Sequence, residues 1–410
     1  MFADMTAQKD PIQSFYEKYP HPDPMKELPA QVLSGEARLE GCPSWCFHVY
    51  WPLRKFADEL DVLIAGCGTS QAGIYGASLP QARITAIDVS ADSLAHSTAL
   101  CLRHGLQNVT HKQMGLEDVG GLGKFDLVIC TGVLHHLDDP DAGLRALRTV
   151  VRPEGSLNLM LYAKYGRAGI YNMQEMVRRI GVTAATSTDA DLEAIRALVR
   201  SLPPEHPLAG KVAMLPEINT RGGASDLFLN PRDRAYTVPD VYALLARTGL
   251  VLQEWYGRAH YEPSCQGMKG PLAERAEQLP VAERYAVGEL FSTRILRHRF
   301  VACRDDRPRE TFGLTLDRPD WQGLIPIRHR SAQFDRTNQP PGRSPWVVLQ
   351  HFRQDGIRIN FEPAEGTLLE RIDGQRAIAE IHGGTVPETA RAYWQKLFRY
   401  DLCWFRMATG

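Results

Sequence analysis

Between residues 48 and 160 the chain alternates short apolar runs with amphipathic stretches. The spacing predicts strands at 61–65, 83–87, 109–113, 125–131 and 155–162, and helices at 71–78, 91–104 and 140–151. Ser90 is placed to cap the second helix, which opens Ala91-Asp92-Ser93-Leu94. Strands that alternate with helices predict an α/β fold, a parallel sheet covered on both faces.

The alternation breaks at 164. Residues 164–225 are polar and helical, most clearly at 189–201, and Pro203, Pro204 and Pro207 interrupt them. This predicts a helical insertion between elements of the sheet, at the edge where loops commonly set substrate choice. The pattern resumes with a helix at 238–248, a stop at Gly249, and strands at 250–256 and 299–303. Residues 306–345 are rich in Pro, Arg and Asp and read as a linker. A small α+β module follows at 346–410. Its strands are predicted at 346–349 and 357–359, helix-like segments at 367–372 and 377–381, and a last helix at 387–401. At the other end, residues 1–44 form an N-terminal arm. Its short helix at 12–19 is stopped by Pro20, Pro22 and Pro24. The arm is either a lid over a ligand site or an ordered segment packed on the outside. The main sheet domain then spans 45–305.

Composition narrows the class. The chain has 410 residues, 44% hydrophobic and 23% charged, which suits a globular protein of more than one domain. A net charge of −1 makes no global case for nucleic acid as a partner. Apolar runs are too short to span a bilayer, and the first residues lack the apolar stretch of a signal peptide. A cytoplasmic protein with reduced thiols and no membrane partner is expected. Of eight cysteines, Cys67, Cys101, Cys130 and Cys303 read as small core residues. Cys42, Cys46 and His48 have a loosely metal-like spacing, but no second pair supports it, so no metal is expected.

The chemistry is concentrated in residues 61–73, DVLIAGCGTSQAG. An apolar strand ends in a glycine turn, where backbone can approach a ligand closely. The next strand ends in Asp88, 20 residues after Gly68, the place for an acid that bonds ribose hydroxyls. These features fit a dinucleotide or S-adenosylmethionine. The later segments separate the two. GCGTS, IDVS, FDLVICTGVLHHL and VVRPEGSLNLML, in this order over residues 61–162, resemble the motifs of the class I S-adenosylmethionine-dependent methyltransferase family. The resemblance implies a seven-stranded Rossmann-like sheet ending in an antiparallel hairpin. S-adenosylmethionine is then the cofactor and S-adenosylhomocysteine the product. It also implies that Gly66, Cys67, Gly68 and Thr69 line the methionine and ribose end, with Asp88 on the ribose. Val89 packs on the adenine, Leu116 and Glu117 meet its edge, and Thr131 sits beside the methyl donor. Two positions depart from the family pattern: Ile64 stands where an acid is common, and Ser70 where a third glycine is usual, with Gly73 further on. Contacts to the methionine amino group must then come from backbone carbonyls or from the arm.

His135 and His136, at the carboxyl end of a strand, are candidates for a general base. Their other reading is capping and packing. Two polar-aromatic clusters fall on the same edge: Tyr162, Lys164, Tyr165, Arg167, Tyr171 and Asn172, and then Asp226, Asn230, Arg232, Asp233 and Tyr236. An arginine pair there can clamp a carboxylate or phosphate of an acceptor. Alternatively these residues form a salt-bridged loop that anchors the insertion. The C-terminal module weakly resembles winged-helix modules, which bind peptides or mediate dimers. Its Arg371, Arg376, Arg391 and Arg399 are spread among acids and read as a solvated face.

The expected function is methyl transfer to a small molecule or to a protein or peptide side chain. Two other classes share the early motifs: a nicotinamide-dependent oxidoreductase, and a non-catalytic interaction protein on a methyltransferase fold. A nucleic-acid acceptor is disfavoured by the charge balance and by the lack of an Asn/Asp-Pro-Pro-aromatic motif after the fourth strand.

Overall fold

The computed structural model describes residues 10–37, 41–57, 59–337, 339, 341–349, 357–359 and 361–408. The chain divides into two compact units, Met1–Arg38 with Asp58–Tyr236, and Leu39–Ala57 with Thr237–Gly410.

The first unit carries strands β1 (Asp61–Ala65), β2 (Arg83–Asp88), β3 (Val109–Gln113), β4 (Phe125–Thr131) and β5 (Val151–Tyr162). Neighbouring strands pair in parallel in the order β3-β2-β1-β4-β5. The central pair explains the continuous apolar runs: Val62 to Ala65 and Leu127 to Cys130 are all buried, as a sheet covered on both faces demands. Edge strand β3, VTHKQ, keeps two side chains half-buried and exposes the rest.

Helices Gln71–Ser78, Ala91–Arg103 and Pro140–Val150 connect these strands. Ser90 caps the second as expected, its Oγ accepting from Ser93 N at 3.2 Å. Asp139 caps the third, with Pro140 in its first turn. Strand β5 starts four residues earlier than the pattern suggested. Opposite it, β4 is irregular between Phe125 and Leu127. Gly155 permits this approach, because a Cβ there would meet Asp126 O at 2.9 Å and Phe125 O at 3.0 Å.

The insertion forms helices Ala168–Arg179, Asp189–Arg200 and Arg221–Leu229. Thr188 and Asp191 make a capping box at the start of the middle one. The insertion returns to the sheet where Tyr236 bridges Ala163 in parallel.

In the second unit, helix Val238–Arg247 leads into β6 (Leu250–Trp255), which pairs antiparallel with β7 (Arg297–Arg304). The seven strands follow the order β3-β2-β1-β4-β5-β7-β6. The unit also holds β8 (Ile325–Arg328), β9 (Ala332–Asp335), β10 (Trp346–Leu349), β11 (Ile357–Ile359) and β12 (Cys403–Arg406). These form an antiparallel sheet β11-β10-β9 and a ribbon β12-β8.

The described residues of 306–345, a segment expected as a linker, carry strands β8 and β9 and part of a core. Leu314, Leu316, Trp321 and Leu324 lie buried in one core with Val347, Leu369, Trp394 and Leu397. They anchor the chain singly, between prolines and charges, and so leave no periodic trace. Helix Pro363–Glu370 begins earlier than expected, and the last helix, Ala390–Arg399, is shorter. Strands β8 to β11 precede helix Pro363–Glu370, and β12 follows helix Ala390–Arg399.

Cys42 Sγ lies 3.1 Å from Ser44 Oγ, and Cys46 Sγ donates to Cys42 O at 3.2 Å. Among the described residues no group of His, Cys, Asp and Glu is arranged to hold a metal. No helix among them is long and apolar enough to cross a membrane.

Candidate functional site

The carboxyl edge of the first unit's sheet is built around the turn after β1. Gly66 and Gly68 have φ of 80° and 53°, in the left-handed region. A Cβ at Gly66 would run into the side chain of Val133; one at Gly68 would meet His21 O at 2.9 Å and Pro22 Cδ at 3.2 Å. Gly66 N and Cys67 N both donate to Ile87 O at 2.9 Å, tying the turn to the end of β2.

Asp88 completes the tie. Its Oδ2 accepts from Gly68 N and its Oδ1 from Ser90 N, each at 2.9 Å. Burial pushes its carboxyl above the ordinary range, while these backbone donors pull it down. Each oxygen keeps a second lone pair for another donor. Thr131 Oγ1, at the end of β4, accepts from Gln71 Nε2 at 2.8 Å. Val89 is half-buried, and Leu116 is buried in the short turn Leu116–Gly121, where Glu117 is exposed.

Both departures from the family pattern have local explanations. Ser70 has φ of −146°, an extended value open to any residue, and stands at the cap position of helix Gln71–Ser78. Gly73 serves packing: a Cβ there would press on Leu100 at 3.2 Å and Leu28 at 3.4 Å. Ile64 is fully buried in β1 between Ala86 and Ile129. In place of an acid, the arm brings backbone carbonyls to the turn. His21 O lies against Gly68, and Pro22 O accepts from Thr69 Oγ1 at 2.7 Å.

A second cluster surrounds Asp226, on helix Arg221–Leu229. Tyr16 OH donates to its Oδ1 and Tyr162 OH to its Oδ2, both at 2.9 Å. Asn230 Nδ2 donates to Oδ1 at 3.2 Å. Burial alone would raise this carboxyl. The neighbouring His21 and His136 and the two tyrosine hydroxyls outweigh it and hold the carboxyl below its ordinary range. Burial and Asp226 together hold the Tyr16 hydroxyl well above its usual value, so it stays protonated as a donor.

His136 is 2% exposed. Its Nδ1 lies 2.6 Å from Arg232 O, a carbonyl that can only accept, so Nδ1 carries the proton. Nε2 is buried without a hydrogen-bond partner among the described residues. The ring of Tyr16 meets His136 edge-on at 6.1 Å. His135 is buried too, with its ring 3.9 Å from that of Tyr162.

The arginines are engaged. Arg167 is fully buried, pairs with Asp233 at 3.2 Å and stacks on Tyr162 with its guanidinium carbon 3.4 Å from the ring centre. Its Nε donates to Tyr171 OH at 3.2 Å. Arg232 pairs with Asp10 at 3.3 Å and donates to His136 O at 3.2 Å. Both arginines therefore meet carboxylates of the chain itself, Arg167 that of Asp233 and Arg232 that of Asp10. Asn172 and Lys164 are exposed and Tyr165 is half-buried. Tyr236 acts through its backbone, donating to Tyr162 O and accepting from Lys164 N, both at 2.8 Å.

Sequence reasoning did not single out Tyr16, His21, Asp23 or Gln71. A signal was present in the run Tyr19-Pro20-His21-Pro22-Asp23-Pro24. Alternate prolines forbid regular structure, while the residues between them stay free to make contacts.

Comparison with known proteins agrees with this geometry. A family model described as a methyltransferase domain matches residues 63–157. An uncharacterized protein of a Synechococcus strain is 30% identical over 305 residues, 73% of this chain and 72% of that protein. The chain belongs to the class I S-adenosylmethionine-dependent methyltransferase family.

The ubiquinone biosynthesis O-methyltransferase of Xanthomonas axonopodis pv. citri is 33% identical over 102 residues, 24% of this chain and 41% of that enzyme. The structure of PKMT2 from Rickettsia typhi in complex with AdoHcy shares the fold. Its TM-score is 0.60 at 12% identity, with 88% of this chain and 75% of that chain covered. In this methyltransferase the first motif is the turn at 66–70 and the acidic motif is Asp88, and one hydrogen bond joins them. The cofactor is S-adenosylmethionine. The site suits it, because the positive-φ glycines let the turn pass without side chains and Asp88 offers carboxylate acceptors beside it.

Proposed function

We propose that the enzyme methylates an oxygen of a small molecule, with His136 as the base that takes the acceptor's proton. The observation that carries this reading is the fixed tautomer of His136. The Arg232 carbonyl holds Nδ1–H, so in the neutral ring the lone pair lies on the buried Nε2, at the carboxyl end of β4. Gly66, Cys67, Gly68 and Thr69 hold the methionine and ribose end of the cofactor, and Asp88 the ribose hydroxyls. Val89, Leu116 and Glu117 border the adenine, and Thr131 lies by the methyl donor. When bound, S-adenosylmethionine supplies an activated methyl on a good leaving group, so the chain's main tasks are alignment and proton removal. His136 Nε2 takes the hydroxyl proton of the acceptor. His135, its ring tilted against that of Tyr162, supports this wall rather than reacting. Tyr16 and Tyr162 form its polar side through Asp226. A base suits an acceptor that has a proton to lose, and the arm's Tyr16 beside His136 favours a small one. The name of the Xanthomonas relative, an O-methyltransferase, agrees with an oxygen acceptor.

The test is incubation with methyl-tritiated S-adenosylmethionine and cell extract separated into small-molecule, protein and RNA fractions. Label is expected in the small-molecule fraction, on an alkali-sensitive or ether oxygen. His136→Gln should slow this turnover by about a hundredfold or more while S-adenosylhomocysteine affinity stays within about threefold. Label confined to protein or RNA would overturn the acceptor class, and equal loss of turnover and affinity would assign His136 a structural part.

A further inference from the structure

The arm crosses the glycine turn as a strap fastened at both ends. Upstream, it is held by the insertion. Lys18 Nζ donates to Ala184 O at 2.8 Å, Tyr19 OH lies 2.7 Å from Ser187 Oγ, and Arg221 donates to Lys18 O at 3.0 Å. Downstream, it is held by the end of helix Ala91–Arg103. Leu28 N donates to His104 Nε2 at 3.0 Å, and Arg103 donates to Lys26 O. Between these anchors, His21 and Pro22 lie on Gly68, and Pro22 O takes the Thr69 hydroxyl.

Next to that crossing, Asp23 docks into the first turn of helix Arg221–Leu229. Its Oδ1 accepts from Gly222 N at 3.1 Å, and its Oδ2 from Gly223 N at 3.3 Å and Thr220 Oγ1 at 2.5 Å. A helix N-terminus offers such unsatisfied N–H groups and favours negative charge. The helix start is shaped for the strap. A Cβ at Gly222 would collide with Pro20 O and stand 3.0 Å from Asp23 Oδ2. Through Asp23 the strap thus accepts three bonds from the insertion, and through Pro22 O one from the turn it covers.

We infer that Asp23 is the latch of this strap, and that its release from helix Arg221–Leu229 sets how fast the cofactor enters and leaves. The inference rests on the reading of the glycine turn as the cofactor cradle. With the latch closed, His21 and Pro22 cover the methionine end, and the Lys26–Leu28 anchor serves as the hinge. Asp23 does not touch the reacting atoms. It is a positioning residue that acts through His21 and Pro22, and the same docking sets Tyr16 beside Asp226.

The test uses the full chain and S-adenosylhomocysteine, with association and dissociation rates followed by surface plasmon resonance. Asp23→Ala is expected to raise the dissociation rate about tenfold, as loss of a charged helix cap predicts. Asp23→Asn, which keeps one acceptor oxygen, should fall between. Gly222→Ala should reproduce the effect by pushing Pro20 away. In parallel, S-adenosylhomocysteine should slow tryptic cleavage at the exposed Lys18 and Lys26 in the native chain, and do so much less in Asp23→Ala. A purely structural role would lower the melting temperature without separating these rates. Equal dissociation rates and equal protection in native chain and variants would overturn the latch while leaving the cofactor site standing. Absence of S-adenosylhomocysteine binding by the native chain would overturn the cofactor reading, and the latch with it.

Discussion

Replacing Asp88 with alanine is expected to weaken S-adenosylhomocysteine binding about a hundredfold, the loss of an ionised acceptor and of the turn it holds. The carboxylate has two duties. It accepts from Gly68 N and Ser90 N, which sets the glycine turn against the start of the next helix. In the proposed site its remaining lone pairs accept from the ribose hydroxyls. Alanine leaves both backbone donors unmet and removes the ribose acceptor. Asp88→Asn should bind almost as poorly, because its amide NH2 would oppose one of those N–H groups. Calorimetric titration reads the affinity, and thermal melting of the free variants reads the fold. Affinity within about threefold of the native value would refute the ribose role.

The second large effect is on stability. Arg167→Ala is expected to cost about 3–5 kcal/mol, the usual consequence of breaking a buried ion pair from one side. Arg167 is fully buried and Asp233 nearly so, and the guanidinium also covers Tyr162. Removal strands the Asp233 carboxylate, with Gln174 at 3.0 Å and Tyr171 at 3.4 Å as its remaining neighbours. Replacing both partners with apolar residues should recover much of the loss. Urea denaturation measures it. If Arg167→Ala were as stable as the native chain and instead bound an anionic acceptor poorly, the clamp reading of this arginine would return.

The sheet was legible because its strands are buried on both faces. Continuous runs such as Val62–Ala65 and Leu127–Cys130 have no other common use at that length. The glycine turn was legible because positive φ favours glycine, and Asp88 because it ends the next strand at a fixed spacing from that turn. What the pattern hid were contacts between distant segments. Nothing local in Asp226 says that Tyr16 donates to it across 210 positions, or that Asp23 caps a helix some 200 positions away. The sequence left Arg167 and Arg232 between an anion clamp and a salt-bridged loop, because their partners, Asp233 and Asp10, lie in distant segments. The linker reading of 306–345 failed for a similar reason, since Trp321 and Leu324 are buried one by one against helices that follow much later.

Calorimetric titration of the full native chain, with S-adenosylhomocysteine in one experiment and NAD in another, tests the central claim most directly. The account predicts saturable binding of one S-adenosylhomocysteine per chain, abolished or greatly weakened in Asp88→Ala, and no binding of NAD. Saturable NAD binding without any response to S-adenosylhomocysteine would contradict it.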